Sequence, residues 1–193
     1  MTPPQGTVFA RSRTAHLSFV ALTALVLAGC SINAEPAPPQ ATPVIAATPM
    51  FASDEEALVA AEAAYRNYID VSDQIARDGG VNVERLEPFI SADLYHQQIQ
   101  EYADVASKGL RASGASMFDS FKLESYDPAR DEIRAYVCIR VANIRVMDSA
   151  GNDVTPPDRN NDLPLQIVFA RGLESEQSLS ISQSEVWPGT NFC

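Results

Sequence analysis

Few side chains in this sequence could attack a substrate, relay a proton or hold a metal. There are three cysteines, Cys30, Cys138 and Cys193, and two histidines, of which His16 lies in an apolar N-terminal stretch. A cysteine or serine nucleophile needs a base within reach. Beyond residue 29 the sole histidine is His96, between Tyr95 and Gln97 on a segment with helical spacing. Histidine on a helix surface is far commoner than catalytic histidine, so His96 is read as a surface residue. Transition-metal centres gather His and Cys, and the sequence has no such cluster. Asp148, Asn152 and Asp153 are spaced like part of a calcium loop, but its ligand pattern and closing Glu are missing. Side chains that stabilise a turn explain the same three residues. No glycine-rich phosphate cradle follows a strand pattern, so no catalytic, cofactor or metal site is expected.

The first cysteine belongs to an address. Residues 1–13 contain Arg11 and Arg13 and no acid, and the stretch from Ala15 to Leu27 is mostly apolar. That run falls short of the roughly 20 residues a spanning helix needs, whereas a cationic start before it fits a signal peptide. Leu27-Ala28-Gly29-Cys30 resembles the lipobox of bacterial lipoproteins. The resemblance implies cleavage before Cys30 and a diacylglycerol on its sulfur, and two acyl chains anchor stably where one would be marginal. The expected layout is a lipoprotein signal peptide over 1–29, a lipidated Cys30 with a Pro-rich tether over 30–52, and one domain over 53–193. Pro36, Pro38, Pro39, Pro43 and Pro49 favour extended polyproline II in that tether.

Charge narrows the partners. With 14 Lys+Arg against 25 Asp+Glu the formal charge is -11, which excludes a phosphate-neutralising nucleic-acid surface. Removing residues 1–29 takes away two arginines and no acid, so the mature chain is more acidic still. Anionic headgroups would repel it, and the lipid must hold it at the bilayer. With Cys30 acylated, Cys138 and Cys193 remain in an oxidising compartment, where an intramolecular disulfide is the default. Closing a loop of about 56 residues is worth about 4 kcal/mol in the chain-entropy model.

The elements that carry these residues follow from periodicity. Ser53 with Glu56 forms a capping box, and Leu58, Ala61, Tyr65, Tyr68, Ser72 and Ile75 make one face of a long helix ending at Gly79-Gly80. A short helix is predicted over Val83 to Ile90. A third starts at Ser91 and carries Leu94, Tyr95, Ile99, Tyr102 and Val105. The period then becomes two. Met117, Phe121 and Leu123 mark one strand, and Ile133, Ala135, Val137, Ile139 and Val141 line a longer one, with a bulge expected near Ala142-Asn143. Ser149 to Asn152 reads as a tight turn, and Leu165 to Phe169 and Leu179 to Trp187 as the last strands. Helices first and antiparallel strands second predict an α+β fold, its N-terminal helices on one face of a curved sheet. On the other face Arg134, Tyr136, Cys138 and Arg140 are read as a solvent face covered by arginine stems, with the border of an anion pocket as the alternative.

This layout resembles the nuclear transport factor 2-like (cystatin-like cone) superfamily, in particular secreted actinobacterial lipoproteins of that type. The matching features are Glu62-Ala63-Ala64-Tyr65-Arg66-Asn67-Tyr68, Cys138 on the long strand, Asp148, Gly151 and Val154 of a hairpin, and Trp187 before a terminal Cys193. The resemblance implies a cone, with Tyr65, Tyr68, Tyr102, Phe121, Phe169 and Trp187 lining any cavity between the long helix and the sheet. The preferred reading has these aromatics filling that space as ordinary core. Catalytic members place an Asp or His inside the cone, and no position here matches that pattern. The expected role is a non-catalytic interaction or accessory module. It would be lipid-anchored at the extracytoplasmic face of the cell membrane and contact an envelope or membrane protein. Binding of a small, partly apolar ligand in the cone is the alternative, and an enzyme of polyketide-cyclase-like type a distant third.

Overall fold

A computed structural model describes residues 48–193 except 174, 176 and 177. The expected signal peptide, Cys30 and the tether up to residue 47 lie outside the described residues. Helix α1 (Asp54–Arg77) starts on the capping box. The Ser53 hydroxyl accepts from the Glu56 amide at 3.2 Å, and the Glu56 carboxylate accepts from the Ala52 amide at 2.9 Å. Its buried stripe is Ala57, Ala61, Tyr65, Tyr68, Ile69 and Ile75, and the helix stops before Gly79 and Gly80, both at positive φ. Gly80 is required there, because a Cβ would meet the Tyr102 carbonyl oxygen at 2.5 Å. The predicted second helix is only a 3-10 turn, Val83–Leu86, after which Ile90 makes a parallel bridge to Ile181. Helix α2 (Ala92–Ser107) is capped by Ser91, as its sequence predicts.

Six strands follow: β1 (Arg111–Ser113), β2 (Met117–Asp127), β3 (Glu132–Arg140), β4 (Arg145–Met147), β5 (Asp162–Arg171) and β6 (Leu179–Val186). Strands β2-β3-β5-β6 form a four-stranded antiparallel sheet, and β1-β4 form a separate two-stranded one. The fold is α+β, with α1 and α2 on the inner face of the larger sheet. That inner face carries Ile133, Ala135, Val137 and Ile139 from β3 and Ile167 and Phe169 from β5.

Four local expectations are corrected. The long strand does not bulge at Ala142-Asn143; it ends at Arg140, turns, and resumes as β4 in the other sheet. In β2 the inward residue before Phe121 is Phe118, not Met117, which is 52% exposed. An extra residue between the Asp119↔Cys138 and Lys122↔Tyr136 pairs, with Ser120 at φ 54, reverses the alternation there. Val186 is exposed, and Trp187 lies beyond the end of β6. The domain also begins before Ser53. Met50 and Phe51 are buried in the core, Phe51 packs edge-on against Tyr126, and the Phe51 amide donates to the Tyr126 hydroxyl at 3.0 Å.

Candidate functional site

The interior between α1 and the large sheet is where the expected cavity lining converges. Tyr65 and Phe169 are fully buried. Tyr65 meets Phe118 edge-on at 5.1 Å between ring centroids, and Phe121 lies 5.8 Å from Tyr65 and 6.3 Å from Phe169. Such tilted and edge-to-face contacts are those of a packed aromatic core. Phe118 joins this cluster without having been expected, because the β2 irregularity hid its orientation.

Tyr68 and Tyr102 sit at the helix–helix contact. The Gln98 side-chain amide donates to the Tyr68 hydroxyl at 2.5 Å, and the Tyr102 hydroxyl donates to the Ser72 carbonyl at 3.3 Å. Burial pushes all three phenols upward, Tyr65 strongly and Tyr102 to about 12. Among the described residues, the Ser72 hydroxyl and the Gln98 side-chain oxygen are buried without a hydrogen-bond partner. Gln98 was missed by sequence reading, since a glutamine on an amphipathic helix reads as solvent-facing.

Trp187 is not part of this interior. Its ring stands against Tyr136 at 5.1 Å, and Tyr136 alternates with the inward Ala135 and Val137. Trp187 therefore lies on the outer face of the sheet, joined there by Phe192 at 5.8 Å from Tyr136. The same face carries the disulfide between Cys138 and Cys193, with Cα atoms 5.4 Å apart. Cys138 is completely buried, and the seven-residue tail is held further by the Trp187 amide donating to the Pro164 carbonyl at 2.8 Å. One of the outer-face arginines of β3 bridges three strands across this face. Arg140 pairs with Asp119 of β2 and Asp162 of β5, each at 2.7 Å, and its guanidinium holds the Asp119 carboxyl below the usual range. Arg134 pairs within β3 itself, with Glu132 at 2.8 Å.

The remaining chemical candidates have local explanations. His96 is exposed on α2, with Tyr95 as its ring neighbour. The Asp148 carboxylate accepts from the Ala150 amide, the Asn152 amide and the Asn152 side chain at 2.8–2.9 Å, which closes the 148–152 turn and lowers its pKa. Among the described residues no three His, Cys, Asp or Glu side chains are grouped to hold a metal.

No family model matches the chain, and no curated protein matches it. Among solved structures it is similar to the crystal structure of the intermembrane space region of the chloroplast protein ARC6. The TM-score is 0.47 and the identity 13%, covering 65% of this chain and 92% of that one.

Proposed function

We propose that this protein is a lipid-anchored, extracytoplasmic module without catalytic activity, built on a cone-like domain of the nuclear transport factor 2-like type, that acts by contacting an envelope or membrane protein. The observation that carries the reading is the filled interior. Tyr65, Phe118, Phe121 and Phe169 occupy the space in which a cone would hold a ligand, so recognition falls to the outside of the domain. The Cys138–Cys193 disulfide supports an oxidising compartment. The lipobox-like Leu27-Ala28-Gly29-Cys30 supports the anchor. A second reading, a small and partly apolar ligand between the helices, draws on the orphaned Ser72 and Gln98 oxygens.

Cross-linking of the anchored protein in its own cells, followed by mass spectrometry, tests the proposal. A reproducible envelope or membrane protein is expected, and its absence would shift the assignment to the small-ligand reading. A Cys30→Ala arm labelled with fatty acid tests the anchor, since any label retained by that variant overturns lipidation at Cys30.

A further inference from the structure

The ends of α1 and α2 and the β1–β4 sheet enclose an open groove of about 630 Å³. Two guanidiniums line it, those of Arg77 in the last turn of α1 and Arg111 at the start of β1. Most arginines of the described domain face carboxylates, among them Arg66, Arg85, Arg130, Arg134, Arg140 and Arg171. Arg77 and Arg111 do not. Arg77 donates to the Gly114 carbonyl at 3.2 Å, and the Arg111 side chain has no hydrogen-bond or ion-pair partner among the described residues.

The acids that could neutralise the pair are engaged elsewhere. Asp73, one turn before Arg77 on the same helix, accepts from the Ser116 amide at 2.7 Å and the Ser116 hydroxyl at 2.8 Å. Asp78 is paired with Arg85 at 2.7 Å. Asp148 is wrapped by its own turn. The C-terminal ends of both helices bring partial negative charge to the rim, and one cation in the last turn of α1 answers that of its own helix. Arg111 is on a strand, and this leaves its fork unspent.

We propose that this groove binds the carboxylate of a peptide chain end bearing an apolar last residue. This deepens the partner reading above and rests on it. The planar guanidinium fork matches a carboxylate in two parallel hydrogen bonds. Val81, 46% exposed, with Leu110, Ala112 and Met147, gives the groove an apolar wall beside the arginines. The strongly acidic chain repels polyanions and anionic bilayers at long range, which selects for a ligand carrying one compact negative group.

The test titrates the purified protein with an N-acetylated tripeptide ending in leucine and, separately, with its C-terminal amide. The free acid is expected to bind about tenfold or more tightly than the amide, and Arg111→Gln to remove that preference. Arg111→Lys should recover only part of it. Equal binding of acid and amide, or a preference that survives Arg111→Gln, overturns the proposal. Anionic phospholipid vesicles and inorganic phosphate form parallel arms, and tighter binding of either than of the free acid also overturns it. Unchanged urea midpoints verify that the Arg111 variants fold. Cross-linking with Arg77→Gln/Arg111→Gln separates binding in the groove from the existence of a protein partner. A partner recovered equally by wild type and double variant overturns the groove and leaves the partner reading standing. A wild type that yields no partner overturns the partner reading, while the tripeptide titration still decides the groove.

Discussion

Cys193 is exposed at the end of the chain, yet it is bonded to a cysteine with no exposed surface in the middle of β3. One accessible sulfur thus secures the tail, the Trp187–Tyr136 contact and the cover over Cys138 together. Cys193→Ser is expected to lower stability by about 4 kcal/mol, the chain-entropy value for this loop. Urea unfolding checks it, and a loss under about 1 kcal/mol would mean that the aromatic contacts alone hold the tail. This pairing was legible from sequence because position sorted the cysteines: one in a lipobox-like context, two in the domain. The side of the sheet taken by Trp187 was not legible. The residue falls just past β6, where alternation has stopped assigning faces.

At the scale of elements, α1 and α2 were readable because capping residues, glycine stops and a helical apolar period all agree over long segments. Strand β1 was not: three residues with one half-buried alanine carry no period at all. The inward side of β2 was hidden for a different reason. Its parity changes at Ser120, which sits in the left-handed region without the freedom of glycine. Relieving that conformation by Ser120→Gly is expected to stabilise the domain by about 0.5–1 kcal/mol, with Phe118 still half-buried against Tyr65. Thermal or urea unfolding of the variant measures it. A destabilised variant would show that the Ser120–Asp119 hydrogen bond at 3.0 Å outweighs the strain.

For the whole molecule, the buried phenols of Tyr65, Tyr68 and Tyr102 set an alkaline limit. Unfolded tyrosine ionises near about pH 10. In the folded domain burial raises all three, Tyr102 to about 12, so above pH 10 the unfolded chain releases protons that the folded one retains. Stability is full below the unfolded value and falls as pH rises towards the folded one. The urea midpoint should therefore drop from about pH 10 upward, and Tyr102→Phe should flatten the slope. A midpoint insensitive to pH across that window would show that the phenols reach water. Helical spacing put these tyrosines on the apolar faces of their helices, and only the resemblance to a cone set them around a cavity. Tyr65 meets the sheet, while Tyr68 and Tyr102 lie at the helix–helix contact. Whether that cavity was open or filled depended on Phe118, and so on one irregular strand pair.

Met50 and Phe51 fasten the chain before its first helix begins. The Met50 amide donates to the Asp131 carboxylate at 3.3 Å, and Asp131 also takes Arg171 of β5 at 2.6 Å. Tension applied through the N-terminal chain would therefore enter at the β2–β3 turn and spread into the central strands. Helix α1 stands outside that load path, so a domain suspended from its N-terminus could be tugged without its longest helix being peeled away.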